Sequence, residues 1–252
     1  MERNKDIVFF TSDTHFGHNN IIKYCNRPFM SKHEQAVVDA QIAFFESAAG
    51  KCYLDQKEKA RELGEDFPRE PEEVKECRKL RISQETVEKH DETIIANWNS
   101  VVPENGVVFH LGDFCWGRDR GPILDLINRL NGRIYLVKGN HDHSTNLYQD
   151  KMGWIKDYFL LKVKDDDASD GVRKVCLMHF AMRVWDASHY GSYHLYGHSH
   201  GTLEEDPDAL SMDVGVDVWG FSPISYNDVA KYLNKKSCKP YDPRSATRNR
   251  KR

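Results

Sequence analysis

The sequence predicts an α/β layered domain over residues 1–235, and two observations support this fold class. Short apolar runs alternate with segments of helical periodicity through the first half of the chain. In the second half, apolar runs follow one another with only short turns between them. Alternating strands and helices indicate a mixed sheet, and the later strands leave open a second sheet stacked on the first, with helices outside.

The first half of the chain supplies buried strands and helices. The runs IVFF, VVFH and IYLV are continuously apolar, which is typical of strands covered on both faces. A short helical turn in NNIIKYC stops before Pro28, and SKHEQAVVDAQIAFFESAAG is expected to form a helix that ends at Gly50. SQETVEKHDETIIANWNSVV and GPILDLINRLNG are expected to form two further helices.

The second half supplies further strands and a final helix. YFLLKVKDDDASDGVRKVCLMHF indicates two strands joined by an acidic turn, and YHLYGHSHG and ALSMDVGVDVW indicate one strand each. The final helix, ISYNDVAKYLNKK, has Ser225 as its N-cap, with Asp228 in its first turn. These consecutive strands are expected to complete the layered domain.

Two segments have a composition that does not suit a core. Residues 51–81 are dense in charges of both signs and poor in aliphatic residues, so we expect a charged helical insertion on the surface. A cap over an active site is the alternative for this segment. Residues 236–252 are basic and have no apolar face, so we expect a disordered tail, with nucleic-acid binding as the alternative.

The overall composition argues against several classes of protein. A formal net charge of −3 and a pI near 6.5 do not suit a polycation that binds nucleic acid. The chain has no apolar run long enough for a transmembrane helix, and MERNKDIVFF has no apolar signal segment, so we expect a cytoplasmic protein with no membrane partner. The six cysteines are scattered and never spaced as C-x-x-C, which disfavours a disulfide scaffold or a zinc ribbon.

Most of the predicted strands are followed by residues that bind metals or move protons. SDTH follows the first strand, GD the second and GNHD the third, while MH and GHSH lie at the ends of two later strands. Because the loops beyond the carboxyl ends of strands converge in α/β sheets, these distant residues are expected to meet. The predicted metal ligands are Asp13, His15, Asp113, Asn140, His179, His198 and His200.

The number and type of these donors predict two divalent ions. Carboxylate and amide oxygens mixed with imidazoles suit Mn, Fe, Zn or similar ions. One catalytic ion must keep an open position, whereas two ions about 3.5–4 Å apart can share a carboxylate. Asp113 is the natural bridge, since it stands alone at the centre of the set. Gly112, Gly139 and Gly197 directly precede predicted ligands, where a residue without a Cβ lets the chain turn tightly off a strand.

In this order, SDTH, GD, GNHD, MH and GHSH resemble the motifs of the calcineurin-like metallophosphoesterase superfamily. The resemblance extends from about Ile7 to about Tyr232 and is poor in the predicted insertion. The stretches TSDTHFGHNNII, CNRPF and MDVGVDVW are similar to a small bacterial and phage branch. The resemblance implies a four-layer sandwich of two sheets flanked by helices, which is the metallo-dependent phosphatase fold.

The resemblance also implies how the ligands divide and what they do. A first ion would be held by Asp13, His15, Asp113 and His200, and a second by Asp113, Asn140, His179 and His198. Mn is favoured, with Fe, Zn, Ni, Co or Mg as alternatives. A hydroxide between the ions would attack phosphorus in line, and His141 would stabilise the developing charge or protonate the leaving oxygen. Asp142 would fix the tautomer of His141 or hold the loop.

The expected activity is hydrolysis of a small phosphomonoester or phosphodiester. His18 and Arg27 are predicted to contact this substrate, although loop polarity and a surface salt bridge explain them equally well. Trp116 and Trp185 suit stacking on a base, but packing is the commoner use of tryptophan. His110 lies inside a strand and is predicted to be a hydrogen-bonded residue rather than a ligand. A nuclease and a non-catalytic, metal-bearing scaffold are the alternative functions.

Overall fold

The computed structural model describes residues 4–168 and 170–238. The chain forms two compact units. The first unit contains the chain up to Gly17 and again from Asp91 onward, whereas the second unit runs from His18 to His90. The sequence predicts one domain over residues 1–235 with an insertion at 51–81, and this insertion lies within the second unit. Most of the predicted tail, residues 236–252, lies outside the described residues.

The second unit is helical. It contains α1 (Asn19–Tyr24), α2 (Lys32–Glu46), α3 (Ala48–Leu63), α4 (Glu72–Lys79) and the first turns of α5 (Gln84–Val101). Most of the charge-rich side chains of α3 and α4 are exposed, as expected for a segment of this composition. Glu34 of α2 accepts hydrogen bonds from Ser31 N at 2.7 Å and Ser83 N at 2.6 Å. This buried carboxylate therefore joins the start of α2 to the segment before α5.

The helix predicted to end at Gly50 is divided at Ser47. The side-chain oxygen of Ser47 accepts a hydrogen bond from Gly50 N at 3.1 Å and so caps the new helix α3. The prediction that Gly50 ends a helix is therefore wrong, because Gly50 lies in the first turn of α3. A Cβ at Gly50 would collide with the carbonyl oxygen of Phe44, so glycine permits the close approach of α2 and α3.

The described part of the first unit contains nine strands in two sheets. They are β1 (Val8–Thr11), β2 (Val107–His110), β3 (Arg133–Val137), β4 (Ile155–Lys156), β5 (Tyr158–Lys164), β6 (Val172–Met178), β7 (Tyr193–Tyr196), β8 (Ser211–Asp213) and β9 (Ile224–Ser225). The first sheet has the order β4-β3-β2-β1-β9, with β1 to β4 parallel and β9 antiparallel to β1. The second has the order β5-β6-β7-β8, in which β5 is antiparallel to β6 and the other pairs are parallel. The predicted α/β fold with two mixed sheets is confirmed.

Helices cover the outer face of the first sheet. The later turns of α5 and helix α6 (Arg120–Asn128) pack against β1, β2 and β3. This cluster contains Phe9, Ile94, Trp98, Val108, Ile123, Ile127, Ile134 and Leu136. Successive residues of a strand point to opposite faces, so Val8 and Phe10 are directed to the other side of the sheet.

The main core lies between the two sheets. The strands of both sheets and α7 (Tyr226–Leu233) contribute Val8, Phe10, Phe109, Val137, Leu161, Val175, Leu177, Leu195, Met212, Val229 and Leu233. Burying these side chains supplies most of the free energy that holds the sheets face to face. No helix in the described ranges is both long and apolar enough to span a membrane.

The outer face of the second sheet is covered by the segment of residues 182–192. His194 of β7 accepts a hydrogen bond from Met182 N at 3.0 Å, and its Nδ1 lies 3.1 Å from the carbonyl oxygen of Cys176. Trp185 packs against the His194 ring with a centroid separation of 5.4 Å. Since the carbonyl oxygen only accepts, Nδ1 carries the proton and the ring is neutral. Burial lowers the pKa of His194 from 6.5 to about 4.

We expect His194 to make the protein less stable as the pH falls. The unfolded chain binds a proton at this histidine near pH 6.5, whereas the folded protein resists protonation down to about pH 4. The stabilisation is therefore complete above pH 6.5 and is lost as the pH falls from 6.5 to 4. Between pH 7.5 and pH 5 this group alone should lower the free energy of unfolding by about 2 kcal/mol.

Urea denaturation of the wild type and the His194→Gln variant, in the presence of a chelator, measures this effect. The wild type should be the more stable protein at pH 7.5, and its advantage should shrink by about 2 kcal/mol at pH 5. A constant difference between the two proteins across this range would show that His194 binds its proton equally well when folded.

Candidate metal centre

All seven predicted metal ligands lie in the first unit, directly after the ends of strands. β1 is followed by Asp13 and His15, β2 by Asp113, β3 by Asn140, β6 by His179, and β7 by His198 and His200. β1, β2 and β3 are parallel neighbours in one sheet, and β6 and β7 are parallel neighbours in the other. The loops that leave these strands therefore emerge at the carboxyl edge of each sheet.

The ligand atoms form two groups. Asp13, His15 and His200 form one group, and Asp113, His179 and His198 form the other, with all ligand atoms of a group within 4.8 Å of one another. The two groups have the composition that the family resemblance implies, apart from Asn140 and the sharing of Asp113. Six residues from four different strand ends thus converge on two neighbouring points.

Asp113 lies between the two groups. Its Oδ2 is 3.5 Å from His15 Nε2 and 3.5 Å from His179 Nε2. Asn140 Oδ1 lies 3.0 Å from His179 Nε2, which places the amide beside the second group. Two ligands that each lie about 2.1 Å from one ion in tetrahedral geometry are about 3.4 Å apart. The separations around Asp113 therefore fit an ion on each side of its carboxylate.

Hydrogen bonds at the far side of two rings fix which nitrogen can bind a metal. His179 Nδ1 lies 2.7 Å from the carbonyl oxygen of Leu111, and His200 Nδ1 lies 2.7 Å from Asp217 Oδ2. Each of these oxygens accepts a hydrogen bond from Nδ1–H, so Nε2 is the nitrogen that the neutral ring would offer to a metal ion. Such partners orient the ring and raise the basicity of the ligating nitrogen.

The Asp13 carboxylate is fully buried. Burial raises its pKa from 3.8 to about 6, while the nearby imidazoles of His200 and His179 lower it. Its Oδ2 accepts a hydrogen bond from His198 N at 2.9 Å. A divalent cation next to this carboxylate would favour its charged form, so the donor chemistry of the group fits a metal ion.

The ligand loops of the two sheets are joined to each other. The bond from His198 N to Asp13 Oδ2 links the loop after β7 to the loop after β1. Val216 N donates to the carbonyl oxygen of Ser12 at 3.0 Å, and Ser12 forms an isolated parallel bridge with Gly215. The relative positions of the two ligand groups are therefore set by hydrogen bonds as well as by the apolar core.

Five of the seven predicted ligands have a left-handed backbone. The φ angles are 58° for Asp13, 48° for His15, 58° for Asp113, 69° for His198 and 47° for His200. The left-handed conformation is about 1–2 kcal/mol less favourable than the right-handed one for a residue with a Cβ. Strain of this kind is concentrated at functional sites, where the surrounding structure holds the residue in place. Five of the eight described non-glycine residues with a positive φ are thus predicted ligands, which supports a functional role for their loops.

Two of the glycines beside the ligands are required for a reason that the sequence does not reveal. A Cβ on Gly139 would collide with the carboxylate of Asp113, and a Cβ on Gly197 would collide with Ser12 and the carboxylate of Asp13. Neither glycine has a positive φ, whereas Gly112 has a φ of 104°. The predicted role in tight turning therefore applies to Gly112, and the other two glycines leave room for a ligand.

Asp142 is buried and binds the backbone of the ligand loops. Its Oδ2 accepts hydrogen bonds from Asp113 N and Gly139 N, both at 2.8 Å, and its Oδ1 accepts one from Phe114 N at 2.9 Å. Burial raises the pKa of this carboxyl above its ordinary value, against the effect of the hydrogen bonds. Of the two roles predicted for Asp142, these bonds favour holding the loop over fixing the tautomer of His141.

His141 stands beside the first ligand group. Its backbone N donates to Asp113 Oδ1 at 2.8 Å, and its ring centroid lies 5.6 Å from that of His15. The exposed indole of Trp116 is also near the His141 ring, with the centroids 5.4 Å apart. The neighbouring His143 is exposed. The imidazole of His141 is thus close to the ligands, in a half-buried position that a substrate can reach.

Two aspartates of the MDVGVD stretch, which sequence reasoning did not assign to the site, support the GHSH loop. Asp213 Oδ2 accepts hydrogen bonds from Ser199 Oγ at 2.8 Å and Gly201 N at 3.1 Å. Asp217 binds the ring of His200, as described above. The signal available in the sequence was a pair of aspartates in the glycine-containing apolar stretch that was itself predicted to be a strand.

His110 has the role predicted for it. The ring is buried, with Nε2 3.0 Å from Thr14 Oγ1 and Nδ1 accepting a hydrogen bond from Gly112 N at 3.2 Å. Burial lowers the pKa of His110 to about 3, with a smaller contribution from His179. The ring contacts Thr14 and Gly112, which belong to the ligand loops. The prediction of a hydrogen-bonded residue in a strand is confirmed.

The two predicted substrate contacts lie in the second unit. His18 is the N-cap residue of α1 and is largely buried. Arg27 is also buried, and its Nη1 lies 2.7 Å from Nε2 of His90. A surface salt bridge does not describe Arg27, because its side chain is buried. Contact of these two residues with a substrate stays a prediction.

Comparison with known proteins supplies two relatives of similar length and a similar fold. Uncharacterized protein MJ1445 of Methanocaldococcus jannaschii is 24% identical over 236 residues, which cover 90% of this chain and 92% of the relative. Gene 66 protein of Mycobacterium phage L5 is 27% identical over 170 residues, which cover 58% of this chain and 82% of the relative. The crystal structure of AQ665 from Aquifex aeolicus, a protein of unknown function, has a TM-score of 0.50 at 18% identity and covers 89% of this chain and 98% of its own. This likeness shows a shared fold.

The family model described as calcineurin-like phosphoesterase matches residues 8–204. The matched region includes all seven predicted ligands, together with the GNHD stretch and the predicted insertion. It also accounts for more than half of the chain. The chain therefore belongs to the calcineurin-like phosphoesterase family.

Proposed function

We propose that the chain is a hydrolase of phosphomonoesters or phosphodiesters that works with two divalent metal ions. The position of Asp113 carries this proposal, because its Oδ2 lies 3.5 Å from an imidazole of each ligand group. A carboxylate in this position suits two ions that act on one phosphoryl group. When bound, the ions would supply an ionised water near neutral pH and neutralise the charge of the phosphoryl oxygens.

The residues of the chain have separate tasks in this proposal. The first ion would be held by Asp13, His15, Asp113 and His200, and the second by Asp113, Asn140, His179 and His198. His141 would stabilise the charge that develops on the phosphoryl group or give a proton to the leaving oxygen. Asp142 acts as a positioning residue, since its carboxylate is occupied by backbone N–H groups. Asp217 positions His200.

The donor set also guides the choice of ion. Carboxylate and amide oxygens combined with imidazoles suit borderline divalent ions, among which we propose Mn²⁺. The substrate is a phosphate ester, and the cytoplasmic location expected from the sequence is part of the proposal.

We expect wild-type protein to bind two Mn²⁺ ions per chain and the Asp113→Asn variant to bind neither tightly. The amide of asparagine offers one neutral oxygen in place of a charged carboxylate that faces both groups. Isothermal titration of metal-free protein with Mn²⁺ measures the number of sites and their affinity. Asp125→Ala, which changes an exposed aspartate of α6, is the matched control and should bind as the wild type does. Binding of one ion per wild-type chain would contradict the two-ion arrangement.

We expect the His141→Ala variant to keep its metal ions and to lose most of its turnover. The ring is close to the ligands without being needed as one, so its loss removes charge stabilisation or proton transfer worth about 10²–10⁴ in kcat. The measurement combines metal analysis with hydrolysis of nitrophenyl phosphate and bis-nitrophenyl phosphate. His143→Ala is the matched control, because this neighbouring histidine is exposed. Full turnover in His141→Ala with both ions bound would remove His141 from the mechanism.

We expect the Asp217→Ala variant to bind Mn²⁺ about 10–100-fold more weakly at one of the two sites. The variant loses the acceptor that holds His200 Nδ1, so the ring is free to rotate and its Nε2 becomes less basic. The maximal rate should return at high Mn²⁺ concentration, and Asp217→Asn, which keeps an acceptor oxygen, should lie between Asp217→Ala and the wild type. A lower maximal rate with unchanged Mn²⁺ affinity would show that Asp217 acts otherwise than through the metal site.

A further inference from the structure

The two tryptophans considered as stacking residues have different environments. Trp185 is partly buried against the core, donates from Nε1 to the carbonyl oxygen of Ser192 at 3.1 Å and packs on the ring of His194. Trp116 has 48% of its surface exposed, and its ring centroid lies 5.4 Å from that of His141. Trp185 is therefore used in packing, whereas Trp116 presents an exposed aromatic surface beside the proposed catalytic residue.

The backbone holds Trp116 at this place. Trp116 N donates to the carbonyl oxygen of Phe16 at 2.7 Å, and the preceding Cys115 forms a parallel bridge with Phe16. Phe16 and Cys115 directly follow the ligand loops that contain His15 and Asp113. Backbone hydrogen bonds therefore fix the position of Trp116 relative to the loops that contain the predicted ligands.

We propose that Trp116 stacks on a planar aromatic ring bonded to the leaving oxygen, so that the substrate is an aryl phosphate ester. This inference rests on the proposed function, and on the one of its two roles for His141 in which the ring gives a proton to the leaving oxygen. A group that gives a proton to this oxygen lies within about 3 Å of it. The first ring of the leaving group would then lie next to His141, on the side where Trp116 is located.

The separation of the rings agrees with such an arrangement. Aromatic rings that contact each other have centroids about 4.5–7 Å apart, and Trp116 and His141 are 5.4 Å apart. A planar group that touches His141 from the exposed side is therefore within reach of the indole. Every base or aryl ring has a π-face, so stacking of this kind selects for a planar group without selecting a particular base.

A second exposed aromatic residue near the ligands is less suited to this role. Phe180 is 41% exposed, but its ring packs edge to face on His179 at 5.0 Å and on His198 at 4.7 Å. It therefore supports two ligands of one group directly. Trp116 contacts the ring of a residue that is not a ligand, and its replacement tests substrate binding without removing a support of His179 or His198.

Equilibrium binding of two phosphonates tests the proposal without turnover. Phenylphosphonate and methylphosphonate carry the same anionic group, differ in the ring, and contain P–C bonds that are not hydrolysed. In protein loaded with Mn²⁺, the wild type should bind phenylphosphonate about tenfold more tightly than methylphosphonate. Trp116→Ala should bind both with the affinity of the wild type for methylphosphonate, and Trp116→Phe should keep part of the preference. Tyr190→Ala, which removes another exposed aromatic ring, should leave the preference unchanged.

Each outcome has a definite meaning. Equal binding of the two phosphonates by the wild type would overturn the stacking role and leave the proposed function intact. Loss of affinity for both phosphonates in Trp116→Ala would also overturn it, because Trp116 would then support the anion site. If Mn²⁺-loaded wild type bound neither phosphonate, the proposed function would fail together with this inference. Hydrolysis of nitrophenyl phosphate should exceed that of a nucleoside monophosphate in kcat/KM, and the reverse order would overturn the placement of an aromatic ring at the leaving oxygen.

Discussion

The carboxylate of Asp113 is the interaction on which the rest of the metal centre depends. Its Oδ1 accepts from His141 N, its Oδ2 faces His15 and His179, and its backbone N is held by Asp142. One side chain therefore sets the distance between the two ligand groups and the position of the loop after β3. Since β2 lies between β1 and β3, the residue at its end is the one best placed to reach both neighbours.

This arrangement has a cost in stability that the core must offset. Five ligands have left-handed backbone angles, and the Asp13 and Asp113 carboxylates are buried close to each other. Both features disfavour the folded state without a cation. Two apolar clusters, one on each face of the first sheet, hold the strands from which the loops leave. The rigid sheet fixes the starting point of each loop, and hydrogen bonds such as that from His198 N to Asp13 fix its path.

The sequence was sufficient for the longer strands and for the grouping of six of the predicted ligands, because both depend on strand ends that have a local pattern. Apolar runs that end in Asp or His locate a strand and a donor at once, without knowledge of the partner strand. β4 and β9 are two residues long and have no pattern of their own, since they exist only through pairing with β3 and β1. The break at Ser47 was missed because the spacing of apolar residues continues across it. The break itself depends on the hydrogen bond from Gly50 N to Ser47 Oγ, which the apolar spacing does not show. The roles of Asp213 and Asp217 depend on contacts with the loop after β7, which no spacing in the sequence predicts.

The GNHD stretch shows how four consecutive residues can have four different tasks. Gly139 leaves room for the Asp113 carboxylate, and Asn140 lies beside His179. Both carboxylate oxygens of Asp142 accept hydrogen bonds from backbone N–H groups of the ligand loops. His141 is held through its backbone N, and its ring lies near those of His15 and Trp116. The position of His141 therefore follows from the backbone geometry of its loop, and its neighbours supply the ligand and the support.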